Sequence, residues 1–277
     1  CTMVVKPAQQ TPLSMLALAE LLSDCGVPAG VVNVITTTRT GDVIEPIIRD
    51  PRLRKLTFTG STPVGRKLVE QSADQLLRVS MELGGNAPFL VFEDADVDKA
   101  VAGAMVAKLR NMGEACTAAN RFLVHESVAD EFGAKFAAKM AGMTVGRGTA
   151  DGVTIGPLID AKAQAGVAAL VEDAKAKGAT VVCGGETLGD QGYFYSPTVL
   201  TGVSPDARMM REEIFGPVAP IATFATEAEA IQRANDTEYG LVAYVFTRNL
   251  SRTLRVSEAL EFGMVGINQG IVSNPAA

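Results

Sequence analysis

Short runs of β-branched residues alternate with longer amphipathic segments along the 277 residues of this chain. Strands that alternate with helical segments predict βαβ units and a largely parallel sheet, which is an α/β fold. One series of such units runs up to Gly84 and Gly85, and a second series follows these two glycines. We therefore predict two domains, one at residues 1–84 and one at residues 85–277.

The predicted elements follow the hydrophobic periodicity of each segment. Strands are predicted at residues 2–5, 31–35, 55–59, 88–92, 121–125, 180–183, 193–200, 242–247 and 264–268. Helices are predicted at residues 13–23, 42–49, 97–111, 128–140, 161–177, 227–235 and 251–260, and a further helix begins within residues 60–65.

Composition excludes several classes of function. The chain is 47% hydrophobic, carries a net charge of -6, and has no basic run of the kind that binds nucleic acid. No apolar stretch approaches the roughly 18 to 20 residues that cross a bilayer, and no leader with a basic and then an apolar region stands at the start. We therefore expect a cytoplasmic protein with neither a nucleic-acid partner nor a membrane partner.

The cysteines and the single histidine do not form a metal-binding pattern. Cys1, Cys25, Cys116 and Cys183 are far apart and include no Cys-x-x-Cys pair, and His125 is the only histidine of the chain. Zinc sites use clustered thiol and imidazole ligands. We therefore predict reduced thiols and no metal site.

The two ends of the chain resemble cut points. Residue 1 is not methionine, and residues 2–6 have the pattern of a strand that is already under way. At the other end, residues 266–270 run into residues 275–277 without a predicted terminal element. We expect an internal fragment of a longer protein, and we expect the isolated fragment to aggregate or fold poorly because missing strands expose edges and apolar faces.

A glycine-containing loop follows the predicted strand at residues 55–59. Gly60, Ser61 and Gly65 precede a helix there, and the backbone N–H groups at a helix start can bind a phosphate. The spacing is not Gly-x-Gly-x-x-Gly, so on these residues alone a tight turn capped by Ser61 is the simpler interpretation. Lys6 ends the first strand, where open α/β sheets bind ligands, although on this residue alone a solvated loop lysine is the simpler interpretation.

Cys116 and Glu82 are the candidate reactive residues. Cys116 lies in the stretch Gly-Glu-Ala-Cys between a predicted helix and a predicted strand, and Glu82 ends a short apolar run. A thiolate attacks carbonyl carbons, and a carboxylate can deprotonate the water that later releases the acyl group. Taken singly, each residue has a simpler interpretation: a buried small hydrophobe for Cys116 and a surface carboxylate for Glu82.

Five stretches occur in the order and at the spacing typical of NAD(P)-dependent aldehyde dehydrogenases, and the resemblance covers essentially the whole chain. They are Val-Lys-Pro-Ala-Gln-Gln-Thr-Pro at residues 5–12, Phe-Thr-Gly-Ser-Thr at 58–62, Glu-Leu-Gly-Gly-Asn-Ala-Pro at 82–88, Gly-Glu-Ala-Cys at 113–116 and Glu-Glu-Ile-Phe-Gly-Pro at 212–217. The resemblance implies the C-terminal part of a Rossmann-like cofactor domain at residues 1–84. It implies an α/β catalytic domain, incomplete at its C-terminus, at residues 85–277.

The resemblance also implies roles for individual residues. Cys116 resembles the nucleophile that forms a thiohemiacetal and then a thioester, and Glu82 resembles the base that activates water against the thioester. The Cys116 N–H would form half of an oxyanion hole, with an asparagine upstream of this chain as the other half. The residues implied in cofactor binding are Lys6 and Gln9 at the adenosine ribose, Gly60, Ser61 and Gly65 at the pyrophosphate, Leu83, and Glu213 and Phe215 at the nicotinamide ribose.

Three positions depart from the usual pattern of the family. Gln9 stands where NAD-preferring members often have glutamate, and a neutral side chain should tolerate a 2′-phosphate, so we expect NADP or NAD with a preference for NADP. Glu114 stands where most members have glutamine. Ala118 stands where some members have a second cysteine that forms a redox-switch disulfide, so we predict that this switch is missing.

Further stretches most resemble succinate-semialdehyde dehydrogenases. They lie at residues 152–160, 234–241 and 263–268. The resemblance implies that Arg110 and Ser273 hold the carboxylate of a small aldehyde with a distal carboxylate, and that the full-length protein is a dimer or tetramer of identical chains. The alternatives are glutarate or 2-oxoglutarate semialdehyde as the substrate, a cofactor-free thiol esterase, or an inactive fragment.

Overall fold

The computed structural model describes residues 1–273. These residues form two compact units, one of Cys1–Leu83 and a larger one that begins at Gly84. Each unit alternates strands with helices, so the predicted α/β fold is confirmed. The assignment of residues 1–84 to cofactor binding and of residues 85–277 to catalysis stays a prediction.

The first unit consists of two parallel strand pairs and their connecting helices. Its elements are β1 (Met3–Val5), α1 (Leu13–Asp24), β2 (Val32–Val34), α2 (Thr40–Ile48), β3 (Lys55–Thr59), α3 (Thr62–Ser72) and β4 (Arg78–Glu82). Strand β1 pairs with β2, and β3 pairs with β4. Parallel pairing brings the carboxyl ends of each pair to the same edge, which is where α/β proteins bind ligands.

The second unit has nine strands and five α-helices among its described residues. They are β5 (Ala87–Val91), α4 (Val97–Leu109), β6 (Ala119–His125), α5 (Glu126–Ala141), α6 (Ala161–Ala176), β7 (Thr180–Cys183), β8 (Thr187–Leu188), β9 (Phe194–Tyr195), β10 (Thr198–Thr201), β11 (Val218–Phe224), α7 (Glu227–Asn235), β12 (Val242–Phe246), α8 (Leu250–Ala259) and β13 (Met264–Ile267). Seven strands form one sheet in the order β13-β12-β5-β6-β11-β10-β7. All neighbours are parallel except β7, which is antiparallel to β10.

Both faces of this sheet are buried under helices. Along β5, Phe89 and Val91 join the core on the side of α4 and α5, while Leu90 and Phe92 join the core on the side of α6, α7 and α8. Successive strand residues point to opposite faces, so a strand covered on both sides is apolar throughout. The ring of Phe89 packs against Phe122 and Phe246, with centroid distances of 5.2 Å and 4.8 Å.

The structure differs from the prediction at one strand that was not predicted and at one predicted strand that is divided in two. Strand β11 was not predicted, although it lies near the centre of the sheet between β6 and β10. Its interior holds Pro220, and its ladder with β6 begins only at Ile221, so the residue that lacks an N–H precedes that ladder. The strand predicted at residues 193–200 is two short strands, β9 and β10, because Ser196 and Pro197 interrupt it.

The helix predicted at residues 97–111 ends earlier, at Leu109. The next residues, Arg110–Gly113, form a tighter single turn in which Asn111 and Met112 have left-handed backbone angles. Continuation of α4 is impossible with these angles, so the chain leaves the helix two residues before the predicted end.

No helix within residues 1–273 is long and apolar enough to span a lipid bilayer.

Candidate active site

Cys116 lies on the loop that joins α4 to β6. Three consecutive residues of this loop, Asn111, Met112 and Gly113, have positive φ angles of 55°, 57° and 81°. Two of them are not glycine, and such residues are held in the left-handed region only where surrounding contacts determine the backbone. The Asn111 side-chain amide donates to the Glu114 carbonyl at 2.7 Å, and the Glu114 N–H donates back to the Asn111 carbonyl at 2.9 Å.

The backbone of Cys116 packs directly against Gly85. A Cβ atom at Gly85 would overlap the carbonyl oxygen of Cys116, so this position accepts only glycine without a shift of the loop. Gly113 packs in the same way against the carbonyl oxygen of Gly216. The Cys116 side chain itself is a free, half-buried thiol. The loop therefore presents a thiol on a backbone that is fixed by two close contacts.

Tyr244 fixes the residue after the nucleophile candidate. Its hydroxyl donates to the Thr117 carbonyl at 2.8 Å, and the side chain is almost completely buried. Burial raises the pKa of Tyr244 to about 12, so the hydroxyl keeps its proton and stays a donor at neutral pH. A side chain of β12 thus anchors the end of the loop.

Glu114 binds the segment that precedes α6. Its carboxylate accepts a hydrogen bond from the Ile159 N–H at 3.2 Å. Burial is the largest cause that raises the pKa of Glu114, and the nearby Asp160 carboxylate adds to the rise. The carboxylate at this unusual position is therefore half-buried and connects the loop to its neighbour.

Glu213 lies against the two glycines that open the second unit. The Gly85 N–H donates to Glu213 Oε1 at 3.0 Å, and a Cβ at Gly84 would come within 2.7 Å of Glu213 Oε2. Burial raises the pKa of Glu213, while the Gly85 N–H and the charge of Lys108 oppose that rise. The structure thus brings the predicted residues Glu213 and Cys116 to the two sides of one glycine. Phe215, two residues later, is partly exposed and also has a positive φ of 44°.

Lys108 was missed by the sequence analysis. It is completely buried in the last turn of α4, and its ammonium group donates to Asn120 Oδ1 at 2.7 Å. Asn120 in turn donates from Nδ2 to the Gly85 carbonyl at 3.3 Å. The only signal in the sequence is a lysine inside the apolar stretch Met-Val-Ala-Lys-Leu, which normally indicates an amphipathic helix with a solvated lysine.

The two predicted substrate residues are exposed. Arg110 follows α4 directly, six residues before Cys116, and its charge opposes the rise that burial causes in the pKa of Tyr244. Ser273 is the last described residue and lies after β13. No contact of the described residues brings Arg110 and Ser273 together, so their joint role stays a prediction.

In the first unit, Gln9 lines a concavity at the carboxyl ends of β1 and β2. The concavity has a volume of about 400 Å³ and is lined by Pro7, Ala8, Gln9, Pro12, Thr36, Thr37 and Thr38. Ligand pockets of proteins lie in this range of volume. Lys6 stands beside it, with its ammonium group donating to the Pro7 carbonyl at 2.6 Å.

The glycine loop of the first unit lies at the carboxyl end of β3. Ser61 is the residue before α3, and its hydroxyl makes no capping hydrogen bond to that helix, contrary to the serine-cap interpretation. The Gly60 N–H donates to the carbonyl of Glu82 at 3.0 Å. A Cβ at Gly65 would come within 2.5 Å of the Leu83 side chain. Glu82 itself ends β4 with an exposed side chain.

The contact between Gly85 and Cys116 predicts a specific cost of substitution. Gly85→Ala should lower the free energy of unfolding by about 1–3 kcal/mol, since the added methyl group overlaps backbone that cannot yield easily. The measurement is urea unfolding of the complete protein, followed by circular dichroism. Gly166→Ala is the matched control: it lies in α6 with open space around its Cα, so alanine should stabilise by about 0.5–1 kcal/mol. Equal stabilities of the Gly85→Ala variant and the wild type would contradict the described contact.

The whole chain is similar in sequence to known proteins. Residues 1–277 match the profile of the aldehyde dehydrogenase family. The chain is 56% identical to succinate-semialdehyde dehydrogenase of Paenarthrobacter nicotinovorans, and 51% identical to glutarate-semialdehyde dehydrogenase of Pseudomonas putida KT2440. Both comparisons cover all of this chain, which spans 62% and 57% of the lengths of these two relatives.

A solved structure has nearly the same fold. The crystal structure of an NADP-dependent enzyme of Escherichia coli superposes with a TM-score of 0.97 at 54% sequence identity. The superposition covers 99% of this chain and 57% of the other chain. The family profile over every residue and the similarity of the fold lead to one conclusion: this chain belongs to the aldehyde dehydrogenase family.

Proposed function

We propose that this protein oxidises an aldehyde to a carboxylic acid with a nicotinamide cofactor, and that the aldehyde is succinate semialdehyde. The observation that carries the proposal is the placement of the Cys116 loop. Its backbone packs against Gly85, and the N–H of the same glycine donates to Glu213. The backbone of the residue that carries the thiol and the carboxylate assigned to the nicotinamide ribose thus both contact Gly85.

The residues present fit a dinucleotide. The concavity beside Gln9 has a volume of about 400 Å³ and is lined by three threonines, which suits an adenosine. Ser61 precedes an 11-residue helix whose first N–H groups and positive end suit a pyrophosphate, and its hydroxyl does not bond that helix. When bound, the nicotinamide ring accepts the hydride that the aldehyde carbon loses.

The steps that the protein carries out begin at Cys116. Its thiolate attacks the aldehyde carbon, a C–S bond forms, and the carbonyl electron pair moves to the oxygen, where the Cys116 N–H is the assigned donor. After loss of the hydride the acyl group is a thioester on Cys116. Glu82 then takes a proton from a water molecule that attacks the acyl carbon, the C–S bond breaks, and Cys116 leaves as the thiolate.

The distal carboxylate of the substrate is assigned to Arg110 and Ser273. Arg110 is exposed and lies six residues before Cys116, and a guanidinium group suits a carboxylate because it can donate two parallel hydrogen bonds. The similarity to a succinate-semialdehyde dehydrogenase supports this substrate. Glutarate semialdehyde, with one more carbon, is the second candidate, because a glutarate-semialdehyde dehydrogenase is 51% identical.

Gln9 supports NADP over NAD. A neutral side chain at this position does not repel the 2′-phosphate of NADP, whereas a carboxylate would repel it and would bind the free ribose hydroxyls of NAD. The similarity to an NADP-dependent enzyme agrees with this preference. The predicted homo-oligomer and the predicted cytoplasmic location stay predictions.

The reaction is tested by replacing Cys116 with alanine. Wild-type complete protein should reduce NADP in the presence of succinate semialdehyde, followed by absorbance, and Cys116→Ala should abolish this turnover while NADP binding persists. Cys183→Ala is the control, since this thiol packs against the core of the sheet. Ester hydrolysis without any NADP reduction would contradict the proposal and favour the thiol-esterase alternative.

The binding of the substrate carboxylate by Arg110 is tested by Arg110→Ala. The KM for succinate semialdehyde should rise by about tenfold or more, because charge-assisted hydrogen bonds contribute roughly 1.5–3 kcal/mol. The KM for butanal, which lacks the carboxylate, should change little. Arg248→Ala is the control, because this exposed arginine pairs with Asp96. Equal increases in KM for the two aldehydes would remove Arg110 from substrate binding.

The cofactor preference is tested by Gln9→Glu. The kcat/KM for NADP relative to NAD should fall by about tenfold or more, since two like charges a few ångströms apart repel by over 1 kcal/mol. Gln10→Glu adds the same charge one residue outside the lining of the concavity and serves as the control. An unchanged cofactor ratio in the Gln9→Glu protein would show that this position does not contact the 2′-phosphate.

A further inference from the structure

Lys108 has no role in the reaction described above. It is nevertheless the more buried of the two lysines of α4. Its side chain is 0% exposed, eight residues before Cys116. Lysine is rarely buried without a partner, because moving an ammonium group out of water is costly. A methionine would fill a similar volume without that cost. The contacts of the ammonium group therefore need an explanation.

These contacts lead through one side chain to Gly85. Lys108 Nζ donates to Asn120 Oδ1 at 2.7 Å, and this bond fixes which end of the Asn120 amide faces away from the lysine. That other end, Nδ2, donates to the Gly85 carbonyl at 3.3 Å. The Gly85 peptide is thus held at its carbonyl by a relay that begins at Lys108.

Gly85 also contacts two residues of the proposed reaction, Glu213 and Cys116. Its N–H donates to Glu213, and its Cα packs against the Cys116 carbonyl. The stem of Lys108 also borders the loop, because a Cβ at Gly113 would come within 3.2 Å of Lys108 Cε. Lys108 therefore contacts the Cys116 loop directly, through Cε, and contacts Gly85 indirectly, through Nζ and Asn120.

The charges in this cluster favour the same arrangement. Burial lowers the pKa of Lys108 to about 7, and the attraction of the Glu213 carboxylate acts in the opposite direction. The same attraction opposes the rise in the pKa of Glu213. A cation at position 108 thus helps Glu213 to remain a carboxylate beside the Gly85 N–H.

We propose that Lys108 is a positioning residue that acts through Asn120 on Gly85, and that this relay sets the geometry of the Cys116 loop and of Glu213. The proposal rests on the proposed function for the roles of Cys116 and Glu213. The relay itself is a property of the second unit and does not depend on a bound substrate.

The test compares Lys108→Met with Lys99→Met in the complete protein. Lys99 lies on the same helix with its side chain 80% exposed, so it controls for the loss of one charge on α4. Lys108→Met should lower kcat for succinate semialdehyde by about tenfold or more and change KM by less than about threefold, which is the pattern of a lost transition-state geometry. It should also change the rate of Cys116 alkylation by iodoacetamide, measured without cofactor or substrate.

Asn120→Asp tests the second step of the relay. Aspartate has the same shape and still accepts from Lys108, but it has no N–H to donate to the Gly85 carbonyl. We expect a loss of kcat similar to that of Lys108→Met, with a folded protein. Wild-type kcat and wild-type alkylation rate in Asn120→Asp would overturn the relay, even if Lys108→Met fails to fold.

The buried amine of Lys108 also makes the free energy of unfolding depend on pH. Between about pH 7 and the ordinary lysine pKa of 10.5, the unfolded chain binds the proton that folded Lys108 releases, so stability rises with pH in that window. The free energy of unfolding of the wild type, relative to Lys108→Met, should therefore increase from pH 7 to about pH 9. A difference that is constant over this range would contradict the buried amine on which the relay depends.

The two proposals can fail separately. If Cys116→Ala keeps full turnover, the proposed function is wrong, whereas the alkylation and pH measurements still test the relay. If Cys116→Ala is inactive but Lys108→Met and Asn120→Asp behave like the wild type in kcat and alkylation, the positioning role is wrong and the proposed function stands.

Discussion

The contact between the Cα of Gly85 and the carbonyl oxygen of Cys116 is the constraint on which the candidate site depends. No side chain fits between these two atoms, so the segment before β5 and the loop before β6 touch through backbone alone. Backbone contacts leave little freedom for a rotamer change. The three left-handed residues at 111–113 are tolerated because this contact and the partner of Gly113 determine the path of the loop.

Around that contact lie two buried polar side chains, Lys108 and Asn120, and the half-buried carboxylate of Glu213. Asn120 donates to the carbonyl of Gly85 and accepts from Lys108, and the N–H of Gly85 donates to Glu213. Buried polar groups that are fully paired specify one geometry more strictly than apolar packing does. A thiol that must meet a carbonyl carbon at a defined angle benefits from such a support, because small displacements cost large factors in rate.

Much of this architecture follows from local patterns in the sequence. The α/β class and most strands and helices were predicted, because β-branched runs and amphipathic segments report directly on sheets and helices. Strand β11 was not predicted, since Pro220 obscures a strand whose place is decided by its two neighbours in the sheet. The relay from Lys108 could not be predicted either. Lys108 lies 23 positions after Gly85 in the sequence, and no local pattern indicates that the fold brings the two residues together. The roles of Cys116, Glu82 and the cofactor residues came from the resemblance to a family and not from local patterns.

The most direct test of the account is to identify the thiol that carries the acyl group. The complete protein with Glu82 replaced by glutamine is mixed with NADP and succinate semialdehyde, quenched in acid and digested. The peptides that carry Cys1, Cys25, Cys116 and Cys183 are then examined by mass spectrometry. We expect a succinyl group on the Cys116 peptide, present at higher occupancy than in the wild type because water activation is slowed. NADP reduction without any acyl group on Cys116, or an acyl group on Cys1, Cys25 or Cys183 instead, would contradict it.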